Sequence, residues 1–272
     1  MHVFVDGPIG DCIALERALE EKFSLALCRV VPELDQPELP LKSLGLAAAS
    51  FLQGVLDGGE HRLIGVGHGR TLAAMALELP RRATSGVRFV SLLGGLPRSI
   101  EATPFDVIYR LADKTSAVVD LMSVPFFANS AADCRVIMAQ EGVAETLAAA
   151  AQATLYIVGI GEVTGRAFLP QASELIAREF KGLVKQGAVG EVLGRYVNKD
   201  GGRLDTGLHA QVVGLDPEAM RGRQAVAVAG GRRKVNAIRA VLRSGMLNGL
   251  ITDDATARRL VDADGDRPGP ES

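Results

Sequence analysis

The chain has no tryptophan, and aromatic residues make up only 4% of its 272 positions. That scarcity argues against base-stacking platforms for single-stranded nucleic acid and against glycan-stacking shelves. Cysteine is also scarce. Cys12, Cys28 and Cys134 are odd in number and scattered, which excludes a disulfide framework and fits reduced core thiols. Neither charge dominates: 30 Lys+Arg stand against 32 Asp+Glu, a net charge of -2, so no basic footprint for duplex DNA is present. No apolar run reaches membrane-spanning length and no leader pattern opens the chain. A soluble, cytoplasmic protein of one large or two modest domains is expected, with a small polar or charged ligand.

Strand-like and helix-like stretches alternate. The runs around Leu63–Val66, 87–93, 117–122, 154–158, 225–229 and 250–251 are rich in Val, Ile and Leu, as in strands covered on both faces. His2 to Val5 and Ser24 to Val31 are further β-prone runs. Helical spacing follows most of them, with start signals such as Thr103-Pro104 and Asp216-Pro217, and Thr252 with Asp253-Asp254 opening a last helix. The expected fold is α/β: a largely parallel, Rossmann-like sheet with helices on both faces. Residues 1–262 form the folded unit, and the polar run 263–272 reads as a disordered tail.

In such sheets ligands bind beyond the carboxyl ends of the strands. Three strong strands end there in glycines: Gly65-Val66-Gly67-His68-Gly69-Arg70-Thr71, then Gly94-Gly95, then Gly230-Gly231 before Arg232-Arg233-Lys234. The first opens a helix, whose N-terminal N–H groups suit an anion; Arg70 adds a guanidinium fork and Thr71 a hydroxyl donor. Lys234 stands at the mouth of a helix, where a cation opposes the dipole. Glu191, in an apolar stretch, needs either a ligand hydroxyl or a core partner such as Arg195. Gly159-Ile160-Gly161-Glu162-Val163-Thr164-Gly165 imitates a dinucleotide fingerprint, but its third glycine is displaced and no helix starts at once, so NAD is rejected. His2, His61, His68 and His209 share no metal spacing, and no cofactor or metal is expected. Phe126-Phe127 beside Pro125 reads as core first and as contact surface second.

Several of these motifs, in order, resemble one family. Ala227-Val228-Ala229-Gly230-Gly231-Arg232-Arg233-Lys234 through Ala237-Ile238, then Leu242-Arg243-Ser244-Gly245 and Leu250-Ile251-Thr252-Asp253, resemble the signature of the SorC branch of sugar-responsive transcriptional regulators. Gly67 to Thr71, Leu92 to Gly95, Val158 to Gly161 and Gly187 to Glu191 agree, and the register runs from about Ile13 to Val261. The resemblance implies a sugar-phosphate isomerase-like domain turned sensor, normally preceded by a helix-turn-helix that is not found in this sequence. DNA would then be reached only through that absent reader. It further implies that Gly69, Arg70 and Thr71 hold the phosphate, with His68 of the same loop at the ligand rim, and that Gly94 and Gly95 border the sugar. Glu191 would accept hydroxyls, Asn198 would stand at a position often held by Asp, and Lys234 would clamp the anionic end. Arg70 departs from the small hydroxyl residue common there. The effector expected is a phosphorylated sugar or polyol, with no catalysis, in a homodimer or homotetramer. The alternative is a sugar-phosphate isomerase or deaminase using Glu191 and His68 as acid and base.

Overall fold

Parity along the strands decides which side of the sheet each residue covers. In β5 (Leu155–Val158), Leu155 and Ile157 join one apolar cluster while Tyr156 and Val158 join another. β9 (Gln224–Val228) divides in the same way, Val226 and Val228 against Ala225 and Ala227. Such strands need cover on both faces, and helices supply it. The computed structural model describes residues 8–33, 39–95, 104–164 and 174–262.

On one face lie α2 (Leu41–Gly58), α3 (Arg70–Glu78) and α4 (Pro104–Thr115), whose Leu44, Leu52, Leu72, Met75, Ile108 and Leu111 are buried. The other face carries α1 (Pro8–Phe23), α8 (Val235–Arg243) and α9 (Asp254–Asp262), through Leu15, Leu19, Ile238, Leu242 and Leu260. The remaining α-helices among the described residues are α5 (Ala131–Met138), α6 (Glu141–Gln152) and α7 (Glu174–Lys185).

The strands of the main sheet are β1 (Leu27–Val31), β2 (Leu63–Val66), β3 (Arg88–Ser91), β4 (Val118–Asp120), β5, β9 and β10 (Gly249–Asp253). Their order is β1-β10-β9-β5-β2-β3-β4, and every neighbouring pair is parallel. From β2 the chain moves outward to β3 and β4, then returns to β5 on the other side of β2. That reversal opens a crevice at the carboxyl ends of β2 and β5, the place where such folds take ligands.

The parallel α/β sheet expected from the sequence is present, and beside it stands a second sheet that was not expected. β6 (Gly161–Glu162), β7 (Ala188–Val192) and β8 (Arg195–Asn198) form a three-stranded antiparallel sheet. A local correction concerns the last helix. Thr252 lies inside β10 and is buried; Asp253 is the cap, accepting from the Thr256 N–H at 2.8 Å. Phe126 is fully buried, which fits its reading as core and removes it as an exposed contact between subunits. The β-prone run His2–Val5, the Thr103 cap and the tail 263–272 fall outside the described residues.

Candidate functional site

The loops after β2, β5 and β9 meet where the main sheet faces β6 and β7. Between them is a cleft with about 750 Å³ of empty space, its open mouth included. Six residues expected from the sequence line it: His68, Gly69, Arg70, Thr71, Glu191 and Lys234.

The first wall belongs to the main sheet. Gly69 precedes α3 with φ +125, a conformation that side chains with a Cβ rarely adopt, and so turns the chain from β2 directly into the helix. The first N–H groups of α3 therefore open at the cleft, carrying the positive end of the helix dipole. Arg70 is half-buried beside them and makes no hydrogen bond or ion pair among the described residues. Thr71 is used differently from expectation. Its hydroxyl donates to the Val228 carbonyl at 2.7 Å, tying α3 to the end of β9 across the end of β5. That proton is not available for a ligand. His68 is buried edge-on against Phe126, with ring centroids 5.2 Å apart. Burial pulls its pKa down to about 4, so the ring is neutral near pH 7 and a weak base.

Lys234 ends the 3-10 turn Arg232–Lys234 that leads into α8, and its ammonium reaches back to donate to the Ile160 carbonyl at 2.7 Å. Burial, and then the neighbouring Arg70 charge, lower its pKa to about 8; Glu162 and Glu191 pull the other way. Asp253 holds this turn in place. It is fully buried, accepts from the Gly231 N–H at 2.9 Å and from the Thr256 hydroxyl at 2.7 Å.

The second wall belongs to the small sheet. Glu191 is buried, with one carboxyl oxygen accepting from the Gly194 N–H. Its other oxygen lies where a Cβ on Gly161, its partner in the β6–β7 pairing, would come within 2.2 Å. A larger residue at Gly161 would displace this carboxylate from its present position. Burial raises the Glu191 pKa to about 7, against the opposing effects of the Gly194 N–H, Lys234 and Arg195. The alternative of a core ion pair between Glu191 and Arg195 is not what forms: Arg195 pairs with Asp216 at 3.5 Å. Glu162 and Tyr196 also line this wall, both buried, as does Phe180 from α7. Sequence reasoning passed over all three. Glu162 sat in the glycine loop quoted only to reject NAD.

Three expected residues lie elsewhere. Gly94 and Gly95 do permit a close approach, but to their own chain. Their N–H groups donate to Val213 and Val124 carbonyls at 3.0 and 2.8 Å, and a Cβ on Gly94 would come within 2.5 Å of the Val124 carbonyl oxygen. Asn198 closes the turn after β8, its side-chain oxygen accepting from the N–H groups of Asp200 and Gly202 at 3.0 and 2.8 Å. None of the three lines the cleft. Away from the cleft, Glu33, Asp253 and Asp254 bring carboxylate oxygens within 4.8 Å of one another, but the Asp253 oxygens are already bonded to Gly231 and Thr256.

A family model described as "Putative sugar-binding domain" matches residues 7–262. The chain belongs to that family, the sugar-binding domains of SorC-type transcriptional regulators. It is 44% identical to the erythritol catabolism regulatory protein EryD of Brucella abortus, over 96% of this chain and 83% of that protein. It is 32% identical to the transcriptional regulator LsrR of an Enterobacter species, over 96% of this chain and 79% of that one. Among solved structures, the full-length sorbitol operon regulator SorC of Klebsiella pneumoniae superposes with a TM-score of 0.84 at 21% identity, covering 96% of this chain and 84% of the other. At that identity the likeness speaks for the fold. As a SorC-type sugar-binding domain the chain is a ligand-sensing module, and its relatives are regulators. The cleft between the two sheets is where its geometry gathers charged side chains around an open volume.

Proposed function

We propose that the cleft takes a small phosphorylated sugar or polyol and that its occupancy sets the DNA affinity of a transcriptional regulator. The observation that carries this reading is the cationic wall: Arg70 and Lys234 beside the N-terminus of α3, with no ion pair to either among the described residues. A phosphate carries close to two negative charges and meets a helix end and two cations there. Glu191 on the facing wall accepts hydroxyls of the same ligand. EryD, by its name, regulates erythritol catabolism, and this favours a four-carbon polyol phosphate as the first probe.

The protein acts without turning its ligand over. His68, held near pKa 4, is poorly matched to proton abstraction at neutral pH, which weakens the isomerase or deaminase alternative. Residues 1–262 form the effector unit and work in the cytoplasm; no helix among the described residues is long and apolar enough to cross a membrane. A homodimer or homotetramer is the working form, because paired readers match paired half-sites. Thermal stabilisation by a panel of sugar and polyol phosphates, with turnover assayed on every hit, tests the reading. Stabilisation without turnover is expected; turnover of a stabilising compound overturns it.

A further inference from the structure

A carboxylate stands beside the Lys234 cation. The 3-10 turn Arg232–Lys234 lies against β6, and the Lys234 ammonium bonds to Ile160, two residues before Glu162. In the β6–β7 pairing Glu162 stands opposite Gly190, so the two share one face of the small sheet. A Cβ on Gly190 would come within 2.8 Å of the Ala237 carbonyl oxygen, so that face looks toward α8, the helix that Lys234 leads into. The Glu162 charge accordingly acts on Lys234 more strongly than that of Glu191 does. Yet the two form no ion pair, and Glu162 Oε2 makes no hydrogen bond among the described residues although Glu162 is only 7% exposed. Native proteins rarely leave a buried acceptor unpaired, because it loses its water and gains nothing. Both residues line the cleft, so a bound ligand can bring the missing donor.

The anion drawn to Lys234 therefore meets a negative group as well. A carboxylate only accepts. Against an anion without protons Glu162 stays unpaired and repels, and the low dielectric of a cleft sharpens that repulsion. Against a phosphate oxygen that keeps a proton it gains a short, charge-assisted O–H···O⁻ bond instead. Phosphate can carry that proton near neutrality, since the second proton of a phosphate monoester leaves with a pKa of about 6. Sulfate has the same tetrahedral shape and a similar charge, but no proton at neutral pH. We propose that Glu162 makes the anion subsite specific for a phosphate that carries a proton and excludes sulfates from it. Lys234, Arg70 and the α3 N-terminus attract either anion; Glu162 chooses between them. This rests on the reading of the cleft as a phosphate site, and the test keeps the two apart.

The experiment is calorimetric titration of the full chain and of Glu162→Gln at neutral pH and constant ionic strength, with melting temperatures recorded for each. The probes are inorganic phosphate, inorganic sulfate, erythritol 4-phosphate, erythritol 4-sulfate and erythritol. Hydrogen phosphate and sulfate are the decisive pair, because they differ chiefly in the proton. The parent should prefer phosphate over sulfate by about tenfold or more, free and as the erythritol ester, since a site built to receive a proton rejects an analogue lacking it. Glu162→Gln, whose amide can donate, should narrow both gaps to less than about threefold by gaining affinity for the sulfates. A parent that binds phosphate and sulfate equally overturns the proposal and leaves the phosphate reading standing, as does a folded Glu162→Gln that keeps the full gap. Should Glu162→Gln not fold, the two ratios measured on the parent decide. If neither anion binds and erythritol 4-phosphate binds no better than erythritol, the phosphate reading falls and the selection with it.

Discussion

On one side of the cleft, β2, β5 and β9 of the parallel sheet end in loops that present N–H groups, Arg70 and Lys234. On the other, β6 and β7, with Tyr196 from β8, present Glu162, Glu191 and a phenol. The first wall is made of donors and positive charge, the second mainly of acceptors. Parallel strands ending at helix starts naturally produce the first kind, because every such end aims N–H groups outward. An antiparallel ladder has no comparable dipole, so its polarity comes from the side chains placed on it. The division fits a ligand with an anionic end and a hydroxylated end, and each wall can be perturbed separately.

The largest effect is expected where the cationic wall is braced. Asp253→Ala removes the acceptor for the Thr256 N–H and the Thr256 hydroxyl, and one of two acceptors for the Gly231 N–H, in a fully buried setting. Chemical denaturation should show a loss of about 3 kcal/mol or more, because buried donors are left unpaired. An unchanged denaturation midpoint would mean that the Lys234 turn is held by something else.

The acidic wall is tested by pH. The Glu191 pKa rises from 4.5 to about 7 on folding, so the native state binds more protons than the unfolded chain between those values. The stability it contributes is present below pH 4.5 and lost as pH rises through about 7. His68 and His209, lowered from 6.5 to about 4, act in the opposite sense over part of that range. The informative quantity is therefore the parent minus Glu191→Gln, in which the histidines cancel. That difference should fall by up to about 3 kcal/mol across the window; a flat difference would contradict the buried, carboxyl-like Glu191.

Lys234→Met tests the cationic wall directly, and it also removes a charge that lowers the Glu191 pKa. It should weaken inorganic phosphate and erythritol 4-phosphate by about one to two orders of magnitude in calorimetry, at a melting temperature near the parent's. The smallest effect belongs to Thr71→Val. Because that hydroxyl is spent on Val228, the change should cost about 1 kcal/mol of stability and shift phosphate affinity less than about threefold. A tenfold loss of affinity would restore Thr71 as a ligand donor.

Much of the cationic wall was legible in the sequence because it is local. A strand, a glycine loop and a helix start within ten residues define where Gly69 and Arg70 stand, and the same holds for Gly230 to Lys234. The rest depended on distant partners. Thr71 donates to a carbonyl 157 positions away. β6 has two residues, and its partner β7 begins at Ala188, on the far side of α7, with a register shift between Ala188 and Gly190 in the next pairing. No periodicity survives in a strand that short, so Glu162 carried no visible signal. At Gly94-Gly95 the need for close approach was legible; which chain approached was not.

One titration tests the cationic wall most directly: the parent protein with erythritol 4-phosphate and, in the same buffer below pH 8, with erythritol. The cationic wall predicts that the phosphate strengthens binding by at least about tenfold, the increment expected for charge-assisted hydrogen bonds. Equal affinity for the two, or tighter binding of erythritol, would contradict it.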